Sequence, residues 1–460
     1  IFIAGGDNWT GSGTTNTGNN NSNVFSYTGN TLTRGNNMNR ARWYSSSTAL
    51  VNGEIYVQGG NGGGDFPEVR DANGSFRLLT GASTSPYSAT FPRNFLAPDG
   101  RVFGYDTNGN MYFVSTAGAG SLVSAGQYNS ANAGWTSSAA MFRPGRILQM
   151  GGNSNGAVVI DINGPQPVVT TTQLMSSQRQ WVSATVMADG RVVATGGTAV
   201  DNQLTGINNS AEVWNPATGT WTVGPSGSRA RMYHSGALLL PDATVMVHGG
   251  GAPGPLNNQH AEIYQPSYLF TSAGALAPRP AIVSAPAAID NGQHFNIDVG
   301  SANISRVTMV RSGSVTHSVN MDQRFLELPF TASGGILDIE APPRASDAPG
   351  GYYMLFVIDN QGVPSMAKIV RMSIAANPNV AVDYTATIGG SGGIAYTLAC
   401  NSDEVAVGVA GRASTTDYVY QLGPQCARVD QFGHWVGDPL SRGAAGGTGG
   451  TPFTKTCPRD

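Results

Sequence analysis

The stretch Val186-Met187-Ala188-Asp189-Gly190-Arg191-Val192-Val193-Ala194-Thr195-Gly196-Gly197 decides the fold. Two apolar runs flank an Asp-Gly pair, and a glycine doublet closes the second run. Asp-Gly supplies the positive φ angles of a two-residue hairpin, while the flanking valines favour a pleated, buried strand. The pattern returns as Ala49-Leu50-Val51-Asn52-Gly53-Glu54-Ile55-Tyr56-Val57-Gln58-Gly59-Gly60 and as Leu239-Leu240-Pro241-Asp242-Ala243-Thr244-Val245-Met246-Val247-His248-Gly249-Gly250. Weaker copies run through 95–104 and 142–152, and Gly5-Gly6 reads as the end of another.

A hairpin that recurs every ~45–55 residues is the signature of kelch-type propeller blades. Ala211-Glu212-Val213-Trp214-Asn215-Pro216 and Ala261-Glu262-Ile263-Tyr264-Gln265-Pro266 sit at matching places in later units. About six blades are countable, the first incomplete, and closure predicts seven, with the missing strands and a leader peptide preceding Ile1. The repeat stops at the proline-rich Ala275-Leu276-Ala277-Pro278-Arg279-Pro280. Beyond it, alternating segments such as His294-Phe295-Asn296-Ile297-Asp298-Val299 fit an immunoglobulin-like sandwich. The expected class is all-β: a propeller over 1–276, a sandwich over 277–376 and a glycine-rich module over 377–460. The module ends inside a second copy of its own repeat, since Gly389–Cys400 returns as Gly446–Cys457.

Composition narrows the function classes. With 12% charged residues and a formal net charge of −3, the chain has no basic field for nucleic acid. No apolar run is long enough to span a bilayer. Low charge with abundant Gly, Ser, Thr and Asn suits a secreted or cell-surface protein. All three cysteines lie late, at Cys400, Cys426 and Cys457. In an oxidising compartment Cys400 and Cys426 are a candidate pair, which leaves Cys457 over. Carbohydrate is a candidate ligand of the tail.

Only six histidines occur. Two stand in Arg231-Met232-Tyr233-His234-Ser235 and Val315-Thr316-His317-Ser318-Val319-Asn320. Imidazole nitrogen with phenol oxygen is a donor set that suits copper. Neighbours in a strand point to opposite faces, so Tyr233 and His234 reach one metal only where the chain bends. By residue type alone a Tyr-His pair in a β protein is usually structural.

Residues 231–235, followed by Leu238-Leu239-Leu240-Pro241-Asp242, resemble the Tyr-His segment of the galactose oxidase/glyoxal oxidase family. Thr316-His317-Ser318-Val319-Asn320-Met321-Asp322-Gln323-Arg324 resembles the segment with that family's second copper histidine. Gly351-Tyr352-Tyr353-Met354-Leu355-Phe356-Val357 and Gly362-Val363-Pro364-Ser365 are similar to its C-terminal sandwich. Arg40-Ala41-Arg42-Trp43-Tyr44-Ser45-Ser46-Ser47 looks like the segment of the equatorial tyrosine, in a form closer to glyoxal oxidases. The resemblance covers roughly residues 1 to 375 and omits the tail.

What the resemblance implies is a copper-radical oxidase with metal ligands Tyr44, Tyr233, His234 and His317. Tyr44 would store one oxidising equivalent as a radical, and axial Tyr233 would accept the hydroxyl proton of a small primary alcohol or aldehyde. Dioxygen would leave as hydrogen peroxide. The family joins the radical tyrosine to a cysteine by a thioether, and here that cysteine is expected outside the chain, upstream of Ile1. At Gly62, galactose oxidase carries a tryptophan that stacks on this tyrosine. Phe66 is the neighbouring aromatic expected to replace it, and a galactose-specific pocket is not expected. The alternatives are a non-catalytic kelch scaffold and a carbohydrate-binding protein, neither of which needs the four residues together.

Overall fold

The computed structural model describes residues 1–128 and 134–374, together with the backbone of strands between 404 and 456. Residues 1–375 form one unit and 376–460 a second. In the first unit the repeat becomes six antiparallel blade sheets. Blade 1 holds Phe2–Ala4, Ser22–Ser26 and Thr31–Arg34, and a separate hairpin, Asp7–Trp9 with Thr14–Gly18, grows from it. Blades 2 to 5 have four strands each and begin with Trp43–Ala49, Arg93–Leu96, Ser137–Arg143 and Ser183–Val186. Blade 6 holds Ser235–Leu239, Val245–Gly249 and Ala261–Tyr264. The leading strands of blades 2 and 3, of 4 and 5, and of 5 and 6 lie side by side, as expected of the inner ring of a propeller.

The glycine doublets lock each blade to the next. The second glycine donates its N–H to a carbonyl of the following blade: Gly60 to Ala89 (2.7 Å), Gly152 to Arg179 (2.9 Å) and Gly197 to Arg231 (2.7 Å). Gly197 has φ +98°, and a Cβ there would lie 2.8 Å from the Cβ of Arg179, so both conformation and space require glycine. Within blades 2, 5 and 6 a buried arginine holds the doublet from its own blade. Arg42, Arg179 and Arg231 each donate to the first glycine of a doublet, at Gly59 (2.8 Å), Gly196 (2.9 Å) and Gly249 (2.9 Å). Each also pairs with a glutamate of the third strand: Glu68 (2.9 Å), Glu212 (2.6 Å) and Glu262 (2.7 Å).

A five-stranded sheet packs against a three-stranded one to make the sandwich. In the five-stranded sheet, Gly351–Asp359 lies between Lys368–Met372 and Ile304–Arg311. Its run of apolar residues is explained by burial on both faces. Tyr353, Leu355 and Val357 enter the sandwich core, whereas Met354 and Phe356 join Phe142, Val186 and Trp214 in the propeller core. Burying a side chain such as Phe356 contributes about 1.5–3 kcal/mol, so this strand welds the two domains together.

The connection between Ile304–Arg311 and its partner Phe325–Leu328, residues 312–324, is a finger that runs along the inner strands of the propeller. Arg324 bridges Met141 of blade 4. Gln323 accepts from the Val186 N–H (2.9 Å) and donates to the Ala184 carbonyl (2.7 Å) in blade 5. The thioether of Met321 receives the Asn94 N–H of blade 3 (3.1 Å). At the tip, Ser318 donates its N–H to Ser235 of blade 6 (2.9 Å) and its hydroxyl to the Trp181 carbonyl (3.0 Å). Its own carbonyl accepts from the Ser138 hydroxyl of blade 4 (2.8 Å).

In the second unit, the backbone pairs Glu404–Ala413 with Val419–Val429 and Thr451–Thr456, and Val419–Val429 with Trp435–Ser441. The cysteine pairing and the carbohydrate reading of the tail fall outside the described residues. No helix among the described residues is long and apolar enough to cross a membrane.

Candidate metal centre

The four residues singled out in the sequence meet at one end of the propeller. Tyr44 is the second residue of the leading strand of blade 2, and Tyr233-His234 immediately precedes that of blade 6. These are equivalent places in the repeat, and the two tyrosine hydroxyls meet at one mouth. His317 arrives from the sandwich at the fingertip. There Thr316 and Val319 exchange N–H···O=C bonds (2.9 and 2.8 Å) around a two-residue turn, in which His317 and Ser318 have φ of +49° and +65°. Such a turn favours Asn-Gly, and neither residue here is glycine.

Backbone strain marks the whole mouth. Of the ten non-glycine residues with positive φ among the described residues, six surround the site: Tyr44 (+67°), Phe91 (+46°), Trp181 (+62°), His234 (+67°), His317 and Ser318. Each costs of order 1–3 kcal/mol and persists only where surrounding structure imposes it. The chemical gain is direct. Positive φ at His234 breaks the strand alternation, so that Tyr233 and His234 lie ring on ring (3.7 Å between centroids, 28°) instead of on opposite faces.

The rings of His234 and His317 are 4.5 Å apart, and His317 lies 5.3 Å from Tyr44 and 5.4 Å from Tyr233. The Tyr44 and Tyr233 hydroxyls touch in a short hydrogen bond. The Thr316 hydroxyl engages Nδ1 of His317 (2.7 Å), which leaves Nε2 for the site.

Burial, then the neighbouring His234, pulls the pKa of His317 down to about 3. Burial lowers that of His234 as well, opposed by the backbone of Ala252. Both imidazoles are therefore neutral near pH 7, with lone pairs available to a metal. Burial first, and Tyr44 second, raises the pKa of Tyr233 well above the usual phenol range, making it a strong proton acceptor once ionised. Among the described residues no three His, Cys, Asp or Glu cluster as ligands, so tyrosine oxygens must complete any set here. Two neutral imidazoles and two apposed phenols form an N2O2 group that fits copper.

Aromatic residues wall the site. Trp43 stacks on Tyr44 (4.4 Å, 23°), and Phe91 lies 4.7 Å from Tyr44 and 4.9 Å from His317. On the far side, Trp181 lies 4.7 Å from Tyr233, and Trp135 meets Trp181 edge to face at 4.8 Å. The expectation for Phe66 is corrected here: its carbonyl accepts from Arg42 (2.8 Å), while Trp43 takes the place on Tyr44. The positive φ of Tyr44 is the cause, because it lets adjacent side chains stack. The sequence reading passed over Trp43, Phe91, Trp135 and Trp181. A signal existed for two of them, since Arg42-Trp43-Tyr44 and Arg179-Gln180-Trp181 stand in register with Arg231-Met232-Tyr233.

Fold and site together define a kelch propeller joined to a galactose oxidase-like Early set domain. Residues 279–372 match the family "Galactose oxidase-like, Early set domain", and 183–228 match the Kelch motif. The chain is homologous to galactose oxidase and to aldehyde oxidases of the GLOX type. It is 30% identical over 382 residues to a galactose oxidase of Gibberella zeae, covering 74% of this chain and 55% of that protein. It is 25% identical over 383 residues to the aldehyde oxidase GLOX of Vitis pseudoreticulata, covering 72% of each. The chain thus spans about half the length of the galactose oxidases it matches. A solved structure of a fungal alcohol oxidase in complex with copper superposes with a TM-score of 0.73 at 26% identity, covering 78% of this chain and 82% of that one.

Proposed function

We propose that this chain is the catalytic part of a secreted copper-radical oxidase that converts a primary alcohol to an aldehyde, or a hydrated aldehyde to an acid, while reducing dioxygen to hydrogen peroxide. The observation that carries the reading is the meeting of Tyr44, Tyr233, His234 and His317 on strained backbone at one mouth. A non-catalytic scaffold has no use for strain concentrated there. Homology to the oxidases and the likeness to a copper-bound alcohol oxidase support the same reading. The domain limits 1–276, 277–376 and 377–460 belong to this proposal.

His234 and His317 would hold copper through nitrogen, and Tyr44 and Tyr233 through oxygen. Copper bound there supplies one of two oxidising equivalents and the contact for dioxygen. The protein does the rest. Tyr233, as phenolate, takes the substrate's hydroxyl proton, for which it must lie within about 2.6–3.2 Å of the donor oxygen. Tyr44, as phenoxyl, takes a hydrogen atom from the carbinol carbon. One proton passes to Tyr233 and one hydrogen atom to Tyr44; the remaining electron is the equivalent that bound copper would accept, and the two electrons and two protons together would reduce one dioxygen to one hydrogen peroxide. Trp43, stacked on Tyr44, shields the radical from solvent. Within 1–399 there is no cysteine to form the family's thioether. The cross-link is accordingly proposed to a cysteine outside this chain.

The test is peroxide release, read by a coupled peroxidase, from copper-loaded full-length protein supplied with small aldehydes and primary alcohols. Activity should fall by orders of magnitude in Y233F and H317A. No peroxide from any of these substrates would overturn the reading.

A further inference from the structure

Blade 3 departs from the repeat at the mouth. In blades 2, 5 and 6 the carbonyl that receives a glycine doublet belongs to an arginine: Gly6 donates its N–H to Arg42 (2.8 Å), Gly152 to Arg179 (2.9 Å) and Gly197 to Arg231 (2.7 Å). Blade 3 has Ala89 at that place, where Gly60 donates. Two positions on, blades 2, 3, 5 and 6 carry Tyr44, Phe91, Trp181 and Tyr233. The arginine of blade 3 comes two residues later still. Arg93 is 2% exposed and donates to the carbonyls of Phe91, of Trp135 (3.0 Å) and of Ser137 (2.6 Å), the last two at the start of blade 4. Burial lowers its pKa, opposed by Tyr105 and then Tyr128. Among the described residues no carboxylate bonds to it, whereas Arg42, Arg179 and Arg231 each pair with a glutamate.

We propose that Arg93 is a positioning residue of the metal centre that acts through Phe91: its guanidinium anchors the Phe91 carbonyl to blade 4 and so fixes the Phe91 ring against Tyr44 and His317. The proposal rests on the reading of those two residues as copper ligands. Phe91 lies 4.7 Å from Tyr44 and 4.9 Å from His317, and its N–H donates to the Tyr44 carbonyl (3.1 Å). A φ of +46° is strained for phenylalanine and persists only where it is held from outside. Arg93 supplies that hold. Hydrogen bonds from a charged donor are stronger than neutral ones, and a planar guanidinium spans three carbonyls at fixed angles, which an ammonium does not. A blade junction alone does not call for this arrangement, because a buried charge without a counter-charge is costly and blades 2, 5 and 6 neutralise theirs. Without Arg93, Phe91 relaxes toward extended backbone, its ring leaves His317, and the imidazole loses the wall that sets its tilt.

The test uses full-length wild type, R93M, R93K, F91A and the double variant R93M/F91A, with R279M as control. Arg279 also donates to three carbonyls, those of Asp242 (2.7 Å), Pro364 (2.8 Å) and Ser365 (2.6 Å), and Asp242 lies at the end of the leading strand of blade 6 remote from Tyr233. Chelator competition reads copper affinity, calorimetry reads Tm, and the ring-proton signals of labelled histidine in copper-free protein read the packing of Phe91 on His317. Copper affinity should fall about 10–100-fold in R93M and in F91A. In R93M/F91A it should lie within about twofold of F91A, since the ring that Arg93 holds is already gone. R93K should lose about threefold or more. R279M should keep its affinity within about twofold of wild type even where its Tm falls as far as that of R93M. The His317 signal should move in R93M and F91A and stay in place in R279M. Wild-type affinity in R93M or R93K, an equal loss in R279M, or additive losses in the double variant would overturn the proposal. Should R93M fail to fold, R93K and R93K/F91A carry the same comparison. A His317 signal that moves in R93M, with no copper bound by wild type, would sink the copper reading and leave Arg93 holding Phe91. Copper bound equally by wild type and R93M would do the reverse.

Discussion

Replacing Arg179 with methionine tests whether the buried blade pairs hold up the mouth. The Arg179 and Glu212 side chains are 0% and 1% exposed. The guanidinium donates to Glu212 through Nε (3.1 Å) and Nη2 (2.6 Å), and also to the Gly196 and Ser210 carbonyls. Burial lowers the arginine pKa and the Glu212 carboxylate raises it again, so the arginine's charge depends on its partner. R179M keeps most of the side-chain volume but leaves a buried carboxylate held only by Ser176, through its N–H (2.8 Å) and hydroxyl (2.9 Å). Removing one partner of such a pair costs about 3–5 kcal/mol. Unfolding entropy for a unit of this size is about 0.8 kcal/mol per kelvin, which converts that cost to a Tm lower by about 4–6 °C. Calorimetry is the assay. The double variant R179M/E212L should regain most of the loss, because replacing both partners with apolar groups is nearly neutral. A single variant within 1 °C of wild type, or a double variant less stable than the single, would refute the reasoning.

Three further outcomes are expected. T316V removes the hydroxyl that holds Nδ1 of His317, and copper affinity measured by chelator competition should fall about 10–100-fold with little change in Tm. Glu327 has its pKa held below the ordinary 4.5, first by its hydrogen bond from Arg306, so its contribution to stability is present above that value and lost as pH falls through the folded pKa. Thermal melts from pH 7 to pH 3 should therefore show E327Q less stable than wild type near neutrality and level with it in acid; a constant gap would contradict the assignment. G197A puts a Cβ 2.8 Å from that of Arg179 at a φ of +98°, and urea denaturation should show a loss of at least about 1–3 kcal/mol.

Much of this protein is written locally. Asp189-Gly190 and Asn52-Gly53 between valine-rich runs specify hairpins because turn chemistry and strand alternation act over a few residues, and their recurrence specifies blades. Tyr233, His234, His317 and Tyr44 were legible through family resemblance, since residue type alone leaves a Tyr-His pair looking structural. The tertiary structure decided what those signals could not reach. Tyr44 and Tyr233 are 189 positions apart, and their hydroxyls meet because blades 2 and 6 present equivalent places of the repeat to the same mouth. His317 joins them because the finger, clamped through Gln323, Met321 and Ser318, carries it along the inner strands. Trp43 rather than Phe66 covers Tyr44, because positive φ at one residue reverses the side-chain alternation that a sequence reading assumes. That angle is imposed from outside its own segment by the packing of neighbouring blades, so it leaves no local signature. The strain that gathers the site, like the contacts that sustain it, exists only once the propeller and sandwich have closed around it.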